Sequence, residues 1–498
     1  MAMPIFSGSV FLSRGAAGDD GWMTTVHVGA EVLERAGLPA AEAAAWAASP
    51  PDPRGSFDAA ADAVSRFLST GQAFITRLPG PARRSADEQA ARDAIAGTMD
   101  GARESFLRLH AEGLYDALTG CCSRSLRLAE LLAAAAARVP GLVPTSAELD
   151  AERARTLPEK DGIEFAQGLL VAHVLAVPQA GRHLVGAMLC PTSEALERLG
   201  ELRATGTVDL GPVRVTRRGR AGILELSNPR HLNAEDDVTL GPTECGVDMI
   251  LLDPEIEVGV IRGGVVDHPR YQGTRVFGSG INLTRLYNGR IDFLFYLVRD
   301  LGYVNKIYRG ITLPAQDTGR PELFRNGHEA PAEGTVEKLW IGAVERFAVG
   351  GACQLLHVVD YVIATRGSRL FLPARNEGII PGASNLRLPR FVGDRAARQA
   401  ILSGREWTAG EPDAALLCDE VVEPGDIDRA VEARIEALTN SGLVNAAANR
   451  CTLRAGQEPL DLFREYMATF AVEQARCHLS PALVRNLEVH WNARGRSA

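Results

Sequence analysis

The run Phe277-Gly278-Ser279-Gly280-Ile281-Asn282-Leu283 constrains this chain more than any other, because it is answered further along by Val349-Gly350-Gly351-Ala352-Cys353-Gln354-Leu355. Glycines so closely spaced allow backbone conformations closed to other residues, and each turn leads into an apolar, helix-like run. Two such turns suit one task, aiming two backbone N–H groups at a single oxygen. A pair of that kind stabilises negative charge on a carbonyl oxygen, and losing one donor typically costs about 3–4 kcal/mol of barrier. The expectation is an enzyme that forms an enolate.

The surroundings of the turns predict an α/β core. Residues 213–216, a basic turn at 217–220 and residues 222–226 alternate as a hairpin would. A helix is expected over 235–252, a buried strand over 258–264, a strand over 344–348, a helix from Ala352, and strands over 361–364 and 369–372. Such a rhythm implies right-handed crossovers and a largely buried sheet. Ahead of it, apolar residues at three-and-four spacing predict helices over 56–76, 86–118 and 123–138, with a break at Ser49-Pro50-Pro51-Asp52-Pro53. Beyond residue 441 the strand signals stop, and apolar positions around 460–470 and 479–487 predict helices. The expected organisation is a helical N-terminal domain over 1–207, a catalytic core over 208–440 and a helical C-terminal extension over 441–498.

Composition narrows the chemistry. With 498 residues the chain exceeds one ordinary core. A net charge of -9 argues against broad electrostatic attraction to nucleic acid or an anionic membrane, so an anionic ligand needs local arginines. No run of about 18 apolar residues occurs, and residues 1–15 lack a basic region followed by an apolar one, so a soluble, cytoplasmic protein is expected. The eight cysteines form no Cys-x-x-Cys pattern, which favours reduced thiols over disulfides or structural zinc. His110-Ala111-Glu112 has no obvious second histidine, so iron is not expected, and the absence of any Gly-Lys pair removes a Walker-type phosphate loop.

Several ordered motifs accompany the glycine turns: Asn228-Pro229-Arg230-His231-Leu232-Asn233-Ala234, Ile261-Arg262-Gly263-Gly264, Gly378-Ile379-Ile380-Pro381-Gly382-Ala383, and Leu402-Ser403-Gly404-Arg405 followed by Ala409. Together they resemble the crotonase, or enoyl-CoA hydratase/isomerase, superfamily over roughly 208–440. The resemblance implies a crotonase-type ββα spiral core, a trimer or hexamer of identical chains, and an oxyanion hole from the amides of Ile281 and Gly351. It also exposes a departure. Where the family's hydratases carry two water-handling glutamates, this chain has Gln354 and Ala374, which cannot serve as general bases. Glu377 lies three residues late and reads equally well as a solvated turn residue.

An oxyanion hole without those carboxylates still stabilises the enolate of a thioester whose α proton is already acidic. Together with the long helical N-terminal region, the pattern is similar to a cofactor-independent dioxygenase branch of the superfamily. That implies an arylacetyl-CoA and dioxygen as substrates, with no metal and no separate cofactor. Ile379 and Ile281 are expected to wall an apolar chamber for dioxygen. Glu235 and Arg299 are expected to pair with aryl hydroxyls, and Gln354 to bond the substrate or peroxide, beside Ser279, Gly280, Asn282 and Leu283. Pro229 and Arg230, with His268, Arg270 and Tyr271, are expected to hold coenzyme A. Two other readings stay open: an enoyl-CoA hydratase, isomerase or thioester hydrolase with Glu377 or Glu235 as base, and a non-catalytic acyl-CoA-binding scaffold.

Overall fold

Alternation along Val213–Arg218 and Ala221–Leu226 places Val213 and Val215 inside and Arg214 outside, and this hairpin begins the central sheet. In the computed structural model, which describes residues 30–312, 335–440 and 443–496, the chain divides into two compact units. The first comprises residues up to 110 together with 139–142, and the second comprises 111–138 and 143 onward. The expected leaderless start of the chain lies outside the described residues.

The first unit is helical. Ala40–Ala47 and Phe57–Thr76 meet through Trp46, whose ring stacks on Phe67 at 4.6 Å and whose Nε1 donates to the Phe67 carbonyl at 3.0 Å. Ser56 caps the longer helix by accepting from the Ala59 amide.

In the second unit seven strands run in the order Thr207–Asp209, Val213–Arg218, Ala221–Leu226, Val258–Gly263, Leu339–Val344, Tyr361–Thr365 and Glu420–Val422. The first three pair antiparallel and the remainder parallel. Leu339–Val344 is buried at every position, as a parallel strand covered on both faces must be. A smaller sheet carries Phe347–Val349 parallel to Arg369–Phe371, which pairs antiparallel with Glu406–Thr408. C-terminal helices complete this unit. Leu460–His478 approaches Phe165–Ala176 so closely that a Cβ on Gly168 would lie 3.0 Å from the Ala471 carbonyl oxygen.

Three local expectations are corrected. The helix expected from residue 235 begins at Leu240, because the Asp236 carboxylate accepts the Val238 and Thr239 amides, both at 3.1 Å, and closes a turn first. The strand expected over 344–348 is two strands, interrupted where Arg346 adopts φ +65°. The helix expected from residue 123 begins at Leu128. There Glu130 reaches back to the Arg127 amide at 2.8 Å.

Candidate active site

The two glycine turns lie side by side. Phe277 donates to the Glu345 carbonyl at 3.1 Å, Gly278 donates to that of Phe347, and Val349 returns a bond to Gly278 at 3.0 Å. Gly280 has φ +81°, and a Cβ there would lie 2.9 Å from the Val349 carbonyl oxygen and 3.2 Å from the Gly351 amide nitrogen. Gly350, at φ 53° and ψ -120°, occupies a region that only glycine visits readily, and its amide donates to the Phe371 carbonyl at 3.0 Å. On the other side Glu235 donates to the Gly280 carbonyl at 2.7 Å and accepts from Asn282 at 2.8 Å. These bonds leave out two amides. Among the described residues, neither the Ile281 nor the Gly351 N–H has an acceptor.

Both residues line one cleft, with Glu235, Phe295, Tyr296, Arg299 and Gln354 on one part and the segment 373–382 on another. Arg299, on the helix Leu294–Leu301, is 3% exposed. Its guanidinium takes the Glu235 carboxylate in two bonds, through Nε and through Nη2 at 3.1 Å. Nη1 donates to Gln354 Oε1 at 2.9 Å, and Nη2 also donates to the Gly351 carbonyl at 2.7 Å. Burial is the largest single influence and pulls the guanidinium pKa down, but the charge and hydrogen bond of Glu235 together with the Tyr303 and Asp300 groups hold it above the ordinary arginine value. One arginine therefore fixes a carboxylate, an amide side chain and the carbonyl of the second glycine turn. Gly351 has to be glycine for this: a Cβ would lie 2.9 Å from Glu235 Oε2 and 3.2 Å from Arg299 Nη2.

The roles of several members were not legible in the sequence. Asn233, at φ +56° and 4% exposed, donates from Nδ2 to the carbonyls of Gly264 and Val276 at 2.9 and 2.8 Å and accepts the Asn228 amide at 2.9 Å. It thereby pins the chain entering the first glycine turn. Asp300 accepts the Ala383 amide at 3.2 Å, and burial raises its pKa. Glu377, whose placement three residues late left its role open, lines the cleft; it is half-buried as a residue, yet burial of its carboxyl pushes the pKa up to about 7.

The structure gathers Glu235, Ile281, Arg299, Gly351, Gln354 and Ile379 around the cleft. Ser279, Gly280, Asn282 and Leu283 stand beside it without lining it. Ser279 donates to the His231 carbonyl at 3.0 Å, and Asn282 caps the helix Leu283–Tyr287 while donating to Asp236. The residues expected at coenzyme A form a separate neighbourhood, where the Asp267 amide donates to the Pro229 carbonyl at 3.1 Å. Arg230 and Arg270 are exposed there, the Arg270 guanidinium lies 5.4 Å from the Tyr271 ring centre, and His268 Nδ1 accepts the Arg270 amide. Among the described residues no group of three His, Cys, Asp or Glu is placed to hold a metal ion.

Paired glycine turns with two unclaimed amides, set between a parallel sheet and a short helix, define a class. The chain belongs to the crotonase, or enoyl-CoA hydratase/isomerase, superfamily. Residues 331–468 match the enoyl-CoA hydratase/isomerase family. A relative named (3,5-dihydroxyphenyl)acetyl-CoA 1,2-dioxygenase, from Amycolatopsis orientalis, is 45% identical over 414 residues, covering 83% of this chain and 92% of that protein. A probable enoyl-CoA hydratase of Rhizobium meliloti is 27% identical over 45% of this chain and 72% of its own length. A crystal structure of enoyl-CoA hydratase from Bacillus halodurans aligns with TM-score 0.44 and 18% identity, over 56% of this chain and 100% of that one. The long match to the dioxygenase extends well beyond the share of the chain that the hydratases cover.

Proposed function

We propose that the protein is a dioxygenase that converts (3,5-dihydroxyphenyl)acetyl-CoA and dioxygen to (3,5-dihydroxyphenyl)glyoxylate and coenzyme A without metal or organic cofactor. The observation that carries this reading is the cleft itself: two unclaimed amides, at Ile281 and Gly351, beside an Arg299–Glu235–Gln354 cluster in which Gln354 stands where the family resemblance puts a hydratase glutamate. The 45% identity to the named dioxygenase supports it and extends into the N-terminal region.

The chemistry follows from those groups. The α carbon loses a proton, and the electron pair moves onto the thioester oxygen, which accepts from the Ile281 and Gly351 N–H groups. The electron-rich α carbon then reduces dioxygen and forms a C–O bond. The terminal peroxide oxygen attacks the thioester carbonyl, and coenzyme A departs as the thiolate. Cleavage of the O–O bond with loss of the second α hydrogen leaves a ketone at the α carbon and a carboxylate beside it. Both oxygen atoms stay in the product. Ile281, Ile379, Ile380, Phe295 and Pro373 supply an apolar wall beside this position, suited to an uncharged diatomic. Glu235 and Arg299 offer an acceptor and donors for the ring hydroxyls, and Arg230 and Arg270 offer charge for the coenzyme A phosphates.

The expected organisation is part of the proposal: residues 208–440 form the catalytic core, with 1–207 and 441–498 as helical additions. A homo-oligomer and a cytoplasmic setting fit the same class. Chelator-treated protein in an oxygen electrode is expected to consume one dioxygen per coenzyme A released and to form no product anaerobically. Product formed without oxygen, or activity lost with metal, contradicts the proposal.

A further inference from the structure

Three carboxylates line the cleft, and two of them are committed. Glu235 is held by the Arg299 guanidinium on both oxygens. Asp300 accepts the Ala383 amide and lies 3.9 Å from Arg299. The third, Glu377, has neither an arginine nor an amide against its carboxylate among the described residues, although it lines the same cleft as Ile281 and Gly351. An uncommitted carboxylate that lines the same cleft as two unclaimed amides is available to receive a proton from a thioester bound there. We infer that Glu377 is the base that takes the α proton of the bound thioester.

The inference rests on the enolate reading above and adds the group that reading leaves unnamed. In the step, the α C–H bond breaks, the proton passes to a Glu377 carboxylate oxygen, and the C–H electron pair becomes the enolate held by the two amides. No oxidant enters until this is complete.

The local fold explains why Glu377 is available. It ends the short helix Ala374–Glu377, and Gly378 follows at φ +86° against Asn486 and Leu483 of the helix Pro481–Trp491. The Ile380 amide donates to Gln474 Oε1 at 2.9 Å, which ties the segment to Leu460–His478. The groups around it carry little charge that would neutralise it. The Tyr296 phenol faces it from Leu294–Leu301, and behind that phenol His478 Nδ1 lies 3.4 Å from the Tyr296 oxygen. Asn486 of the C-terminal helix stands against Gly378, Gln474 and Cys477 of Leu460–His478 adjoin the Tyr296 phenol, and Arg375 on the same short helix as Glu377 is exposed. Burial is the cause that raises its pKa to about 7, which suits a base that exchanges protons near neutral pH.

The test is α-hydrogen exchange into deuterated water, with full-length protein and (3,5-dihydroxyphenyl)acetyl-CoA under anaerobic conditions. Wild-type exchange is expected to rise with pH through about 7, because the deprotonated carboxylate is the acting form. In Glu377→Gln the exchange rate is expected to fall by about 10²–10⁴-fold, the usual worth of a general base. Thioester binding measured by calorimetry is expected to stay within a few-fold. Glu377→Asp keeps a carboxylate and is expected to retain the pH limb at a reduced rate. Exchange by Glu377→Gln at the wild-type rate overturns the inference, as does an aspartate variant no better than the glutamine one, or a wild-type protein that exchanges nothing. Anaerobic exchange by a wild-type protein that consumes no dioxygen once air is admitted leaves Glu377 standing and removes the dioxygenase reading instead.

Discussion

Replacing Gly351 with valine is expected to reduce kcat by at least about 10²–10³-fold, the cost of one misplaced oxyanion donor, while the protein stays folded. The added Cβ would lie 2.9 Å from Glu235 Oε2 and 3.2 Å from Arg299 Nη2. Room comes only by shifting the Arg299–Glu235 pair or rotating the amide, and either change disturbs the enolate site. The strand before it, Phe347–Val349, keeps its pairing with Arg369–Phe371, so circular dichroism and the unfolding midpoint should change little. Steady-state kinetics beside a denaturation curve check this. Activity near the wild-type level would show that the Gly351 amide is not part of the site.

Removing Arg299 is expected to cost about 3–5 kcal/mol of stability, because Glu235 is then left largely buried without its partner. The guanidinium also donates to Gln354 and the Gly351 carbonyl, so Arg299→Leu removes a donor from four oxygens, two of them on Glu235. Adding Glu235→Leu to the same chain should restore most of the stability, because an apolar pair of similar volume carries no desolvated charge. Turnover should stay lost in both variants. Urea denaturation of the two single variants and the double variant gives the coupling directly. If Arg299→Leu costs less than about 1 kcal/mol, the ion pair is not the anchor described.

The parts of this site that were legible in the sequence are the parts encoded locally. Gly278, Gly280, Gly350 and Gly351 announce backbone geometry by their identity, because their turns demand conformations or approaches that a side chain forbids. Gln354 and Ala374 were informative for the opposite reason, as residues unable to do the chemistry expected at their positions. What escaped depends on distant partners. Glu235 and Arg299 were both expected at the ring hydroxyls, but their pairing with each other spans 64 residues, and only the fold closes that distance. Glu377 reads equally well as a turn residue and as a candidate base until helices from near the C-terminus pack around its segment, through Asn486 and Gln474. The early start assigned to the helix at 235 has the same origin. Its apolar pattern is helical, but Glu235 is drawn into an extended bridge with Ile281, and Asp236 closes its own turn before Leu240. Local pattern gave way to a long-range pairing that builds the site.

These parts support one mechanistic account. In the mechanism proposed above, the unclaimed amides stabilise an enolate and the arginine-centred cluster orients the ring, while Gln354 and Ala374 stand where hydratases handle water. Dioxygen is then the second reactant, and both its atoms should end in the keto acid. Turnover under ¹⁸O₂ in ordinary water, followed by mass spectrometry of the arylglyoxylate before its ketone exchanges with solvent, tests this claim most directly. The account predicts two heavy oxygens per product molecule, one at the ketone and one in the carboxylate. A carboxylate oxygen drawn from water would mean that hydrolysis releases coenzyme A, and a product with no heavy oxygen would contradict the dioxygenase reading altogether.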